Sequence, residues 1–125
     1  MKVKFIIITS ITFFLSYNLN AQVSFANLNR LNRYDKNGQK TGIWLTTANT
    51  NVIVQRYKKG KRNGVFKVFF KDGGLSIEGH YKEDLEHGKW NSYVRGLLVR
   101  RFFYKNGVEC GRVIYEPRHL EKLFE

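Results

Sequence analysis

Residues 57–66, YKKGKRNGVF, and residues 81–90, YKEDLEHGKW, are two copies of one pattern. Each opens on a tyrosine, passes through a lysine-containing turn, reaches a glycine and sets an aromatic ring two residues beyond it. Residues 34–44, YDKNGQKTGIW, and 104–113, YKNGVECGRV, extend the series on both sides. Tyr34, Tyr57, Tyr81 and Tyr104 stand 23, 24 and 23 residues apart. Gly42, Gly64, Gly88 and Gly111 recur at intervals of 22, 24 and 23. Self-similarity at a step of roughly 20 to 50 residues is the mark of a repeat architecture. The rings that follow the glycines are Trp44, Phe66 and Trp90.

Each member of the pattern has a physical reason. Tyrosine at a strand end lays an amphipathic ring on the sheet and keeps its hydroxyl wet. Lys-Asn-Gly and Lys-Lys-Gly reverse the chain, because glycine tolerates positive φ without steric cost. The second glycine is expected to open the next strand and let a neighbouring ring approach the backbone. Between these turns lie others, at Asn49–Asn51, Asp72–Gly74 and Arg95–Gly96, which read as hairpin loops between β-rich runs. The expected strands are 27–34, 42–48, 52–57, 64–70, 75–81, 88–94, 97–104 and 111–116. Pro117, the one proline, follows the last of them, as it should if proline cannot serve a ladder. Alternation within 75–81, 88–94 and 97–104 leaves apolar residues on both faces.

The expected fold class is therefore all-β: a single twisted antiparallel sheet of stacked β-hairpin repeats, a solenoid of units 34–56, 57–80, 81–103 and a partial 104–116, within a domain spanning 22–116. Beyond Pro117, Leu120, Leu123 and Phe124 fall at helical spacing. Residues 117–125 are expected to form a short helix that caps the stack.

The N-terminus has a different character. Lys2 and Lys4 precede a largely apolar stretch from Phe5 to Tyr17, and small Ala21 follows. That order marks a secretory signal peptide over 1–21, cleaved near Ala21. The stretch falls short of the roughly 20 apolar residues a membrane span needs. Export to the periplasm or medium is the expected localisation.

The chain carries 22 Lys and Arg against 10 Asp and Glu, a formal net charge of +12. Residues 1–21 hold two of those cations and no acid, so cleavage leaves +10. Such a charge favours an anionic partner: a membrane surface, an acidic polysaccharide or an acidic protein. Nucleic acid is disfavoured by the export signal. The candidate anionic contacts are Arg56, Lys58, Lys59, Lys61, Arg62, Lys67, Lys89 and Arg101, interleaved with rings such as Phe69, Tyr93 and Phe103. Cys110 is the one cysteine, which excludes an internal disulfide. It is expected to be a small buried residue.

Catalytic and metal chemistry find no pattern. His80, His87 and His119 have no metal-ligand spacing with Cys110 or with each other. Glu83, Asp84 and Glu86 around His87 read as a solvated turn. No Gly-x-Ser-x-Gly nucleophile or phosphate-cradling glycine loop occurs. No cofactor, no metal and no enzyme activity are expected, a β-scaffold hydrolase being the remote alternative.

In the segments Gly42–Trp44, Gly64–Gly73, Gly88–Tyr93 and Tyr104–Gly107, the chain resembles the MORN-repeat family, in its YwqK-type variant associated with antitoxin components. The likeness covers about residues 34–111. It implies a curved sheet of stacked hairpins used as a scaffold for protein or membrane contact, with no catalytic residue to carry over. Leu85 stands where a turn glycine is expected, and Val113 where the fourth ring is expected. The function expected is an exported, non-enzymatic scaffold for protein–protein interaction in the cell envelope. The alternative is peripheral binding to anionic lipid or polysaccharide.

Overall fold

The computed structural model describes residues 30–116. The expected signal peptide and the capping helix over 117–125 lie outside the described residues. Within them the chain is all-β: β1 (Arg33–Tyr34), β2 (Lys40–Ala48), β3 (Asn51–Lys58), β4 (Lys61–Phe69), β5 (Leu75–Lys82), β6 (Leu85–Val94), β7 (Leu97–Lys105) and β8 (Val108–Ile114). They form one open antiparallel sheet in which each strand pairs with its neighbours in sequence. The seven strands expected from residue 42 onward are present, whereas the first, expected over 27–34, is reduced among the described residues to Arg33–Tyr34; several turns are tighter than their glycine and lysine content suggested.

Those turns explain the length of the strands. Lys59–Gly60, Glu83–Asp84, Arg95–Gly96 and Asn106–Gly107 are two-residue connections with both residues at positive φ. This geometry matches the twist of the flanking strands. Leu85 therefore replaces no turn glycine: Glu83 and Asp84 make the turn, and Leu85 begins β6. Asn49–Thr50 joins β2 to β3 in the same way, with Thr50 at φ 94°. A β-branched residue there is strained where glycine is not. Thr50→Gly is expected to stabilise the fold by about 1 kcal/mol, read as a higher urea midpoint with an unchanged m-value.

Successive turns are also stitched together. The amide of Gly60 donates to the Lys40 carbonyl at 3.0 Å, that of Asp84 to Arg62 at 2.9 Å and that of Gly107 to Glu86 at 2.9 Å. Each turn thus bonds back to the start of the hairpin before it. The register shifts needed for this fall at Gln55/Tyr57 and Glu78/His80, where strands β4 and β6 carry extra residues.

Gly64 and Gly88 lie at these irregularities, whereas Gly42 pairs regularly with Tyr57, and for these three glycines the expected role is corrected. Gly42, Gly64 and Gly88 sit inside β2, β4 and β6 at φ 71°, 116° and 74°. A Cβ at Gly88 would meet nothing within 4 Å. Positive φ is what selects glycine there, and no ring lies against it. Among the repeat glycines a ring lies near Gly111 alone, where a Cβ would stand 3.6 Å from Phe103 Cδ2; the closest ring-to-backbone approach is at Gly79, where it would stand 2.2 Å from Trp90 Cδ2.

One face carries the repeat rings in contact. Trp44 meets Tyr34 at 5.1 Å and Tyr57 at 5.9 Å between centroids. Trp90 meets Phe66 at 5.2 Å, Tyr81 at 4.9 Å and Tyr104 at 6.2 Å. Lys40 lies over Trp44, and the Arg62 guanidinium over Tyr81 at 3.9 Å. These cations and the edge-to-face rings shelter Trp44 and Tyr81, each 8% exposed, although the sheet is a single layer.

The fourth copy departs from the others. Its register shift at Phe103/Tyr104 is one residue, whereas those opposite β4 and β6 are two. A one-residue difference sends side chains to the other face. Arg112, not Val113, consequently faces Phe102, with its guanidinium 5.8 Å from the ring. Cys110 falls at this shift and is exposed, contrary to the buried position expected of it; its thiol reaches the Phe103 carbonyl at 3.4 Å.

Candidate functional site

The face opposite the rings is polar at its centre, and strand register assembles it. Leu45, Val54, Lys67, Glu78, Asn91, Arg101 and Val113 are successive partners from β2 to β8 and form one row across the sheet. The middle of that row is hydrogen-bonded. Asn91 Nδ2 donates to Glu78 Oε1 at 3.1 Å, Tyr93 Oη donates to the same oxygen at 2.6 Å, and Arg101 Nε donates to Asn91 Oδ1 at 2.8 Å. The cross-strand pair is the unit that brings these groups within reach.

Partial burial pushes the Glu78 carboxyl up, but the bonds from Tyr93 and Asn91 and the nearby Lys67 charge outweigh it. The net effect holds Glu78 below its ordinary range. Burial and the bond to Glu78 push Tyr93 up, in accord with a carboxylate that stays charged. A carboxyl with a depressed folded pKa contributes stability that is full above its unfolded pKa and lost as pH falls through its folded one. Tyr93→Phe is expected to cost about 1 kcal/mol at neutral pH. It should also flatten the loss of stability on acidification below the carboxylate range. Urea titrations at neutral and acid pH check both effects.

Beside the row, a groove of about 700 Å³ crosses β4, β5 and β6. Its lining includes Lys67, Glu78, Asn91 and Lys89, together with His80 and His87, which face each other directly across the β5–β6 pair. Gly64 and Gly88 lie in it as well. The missing side chain at the Gly88 bulge leaves backbone open to the groove, while Gly64 is overlaid by Arg56.

The structure divides the candidate anionic contacts among four settings. Lys67 and Lys89 line the groove, and Arg101 adjoins it through Asn91. Lys58, Lys59 and Lys61 surround the β3–β4 turn, apart from the groove lining. Arg56 lays its aliphatic stem over Gly64, with Cδ 3.0 Å from where a Cβ would stand. Arg62 is engaged in the fold: its Nε and backbone N–H both reach Asp84 Oδ1, at 3.0 and 2.8 Å, and its Nη2 reaches the Asp84 carbonyl. The backbone bond and then the guanidinium of Arg62 hold the Asp84 carboxyl below its ordinary range.

Tyr34, Trp44, Tyr57, Phe66, Tyr81, Trp90 and Tyr104 all belong to ring contacts on the opposite face. Gly111 is the exception among the repeat glycines, being absent from the positive-φ set. The Glu78–Asn91–Tyr93–Arg101 chain and Gly79 were missed from sequence. The signal for the chain was available in part, since Glu78 and Asn91 occupy same-parity positions on adjacent strands, but their pairing required the register. Among the described residues no three His, Cys, Asp or Glu side chains gather where a metal could be held.

The sequence matches no family model, and no curated protein matches it.

Proposed function

We propose that the chain is an exported, non-enzymatic repeat protein, a MORN-variant scaffold that presents its open sheet to a protein partner in the cell envelope. The observation that supports this is the single-layer architecture. Strands pair only with their chain neighbours, and Trp44, Leu45 and Tyr81 are the buried hydrophobic side chains among the described residues. Among the described residues both faces and the β8 edge of the sheet are open, which offers extended surface. On β8, Ile114 is 62% and Val108 67% exposed.

Two measurements test the proposal. Mass spectrometry of the protein recovered from its native cell should give a chain beginning at Gln22; an intact Met1 in a cytosolic fraction would refute export. A photoreactive phenylalanine at Ile114 or Val113 should give a discrete crosslinked protein band in intact cells, and the same probe at Lys36, on the first turn, should not. Equal bands at both positions, or none at either, count against a protein-binding sheet edge.

A second reading is favoured by the gathering of Lys67, Lys89 and Arg101 on one face: peripheral attachment to an anionic surface of the envelope. It predicts sedimentation with anionic but not neutral vesicles, or retention on an acidic polysaccharide, and release by salt. Binding that persists at high salt excludes it.

A further inference from the structure

We infer that the groove across β4, β5 and β6 binds an acidic carbohydrate, a sugar bearing carboxylates such as a uronate. The inference rests on the second reading above and gives it a site and a ligand class. Shape is the first ground. The groove is a recess in the sheet, about 700 Å³ in volume, into which three strands contribute. Gly88 leaves its backbone uncovered, since a Cβ there would meet open space, whereas the Arg56 stem lies over Gly64. A single sugar ring fits such a recess, whereas the plane of a bilayer would rest on its rim.

Chemistry is the second ground. The lining joins Lys67 and Lys89 with a carboxylate, Glu78, that Tyr93, Asn91 and the charge of Lys67 favour in its charged form. An ionised carboxylate only accepts hydrogen bonds. It therefore welcomes a ligand hydroxyl and repels an anionic group, while the lysines attract the anionic group. A ligand that satisfies both carries hydroxyls and negative charge on one small framework, which describes an acidic sugar. His80 and His87, facing each other along the same groove, add groups that donate and accept. No arginine, the residue suited to bidentate phosphate recognition, is among the described residues lining the groove, and Arg101 beside it holds Asn91 through its Nε. Lysine point charges remain for the ligand carboxylate.

Calorimetric titration of the full chain with oligogalacturonate tests the site, with neutral maltooligosaccharide and phosphatidylglycerol vesicles as parallel probes. Oligogalacturonate should bind, and Lys67→Gln and Lys89→Gln should each weaken it about tenfold, as expected for one charge-assisted contact. Lys58→Gln, on the β3–β4 turn, should leave the affinity within about twofold. The backbone amide signals of Gly64 and Gly88 should shift on titration. Equal weakening by Lys58→Gln would overturn the inference, as would equal binding of the neutral sugar. If vesicles bind and oligogalacturonate does not, the groove fails while the anionic-surface reading survives. If neither binds, both fall.

Discussion

Gly79→Ala is expected to destabilise the protein by about 3 kcal/mol or more, among the largest effects open to a single methyl group. The added Cβ would lie 2.2, 2.4 and 2.7 Å from three ring carbons of Trp90. No real packing tolerates those separations, so ring or strand must move. The ring has little freedom to do so, because Phe66, Tyr81 and Tyr104 all contact it. Displacing Trp90 thus disturbs the contacts between the second, third and fourth units together. Urea denaturation followed by tryptophan fluorescence measures the loss. Coupling is checked by the Gly79→Ala, Trp90→Ala pair, whose combined cost should fall well short of the sum of the single costs. Additive costs would show that the ring does not depend on the bare glycine.

Tyr81→Ala is expected to cost about 4 kcal/mol, within the range for deleting a large buried ring. Its ring is 8% exposed, contacts Phe66 at 5.5 Å and Trp90 at 4.9 Å, and lies under the Arg62 guanidinium. That guanidinium also ties the β3–β4 turn region to Asp84 in the β5–β6 turn. Removing the ring leaves a gap in the stack and takes away the surface on which Arg62 rests. Tyr34→Ala provides the comparison. Tyr34 has the same role in its own copy, but it ends the ring series among the described residues and is 58% exposed. Its loss should cost only about 1 kcal/mol. Equal costs at the two positions would mean that the rings act as independent decorations rather than as a packed series.

The contrast between Tyr34 and Tyr81 shows where sequence information ends. Both tyrosines fall on the 23- or 24-residue step, and nothing in their immediate neighbours ranks them. Their difference comes from position in the stack: Tyr81 has rings on both sides, whereas β1 is a two-residue edge strand. Gly79 is hidden for a related reason. The equivalent places two residues before Tyr57 and Tyr104 hold Gln55 and Phe102, so the repeat does not mark it. Its importance follows from the register shift that brings Trp90 over β5.

Periodicity alone determined that the chain is a series of hairpins in one sheet, because a repeated local pattern of turn glycines and alternating apolar residues needs no distant contact to be recognised. It placed the repeat rings and identified the stretches where the chain reverses. The tertiary structure decided how far each strand enters its turn, which residues cross to the other face at Cys110, and which polar groups meet in the Lys67–Glu78–Asn91–Arg101 row. All three depend on the register between strands. A shift of one residue leaves the sequence pattern intact yet exchanges the faces of every side chain beyond it.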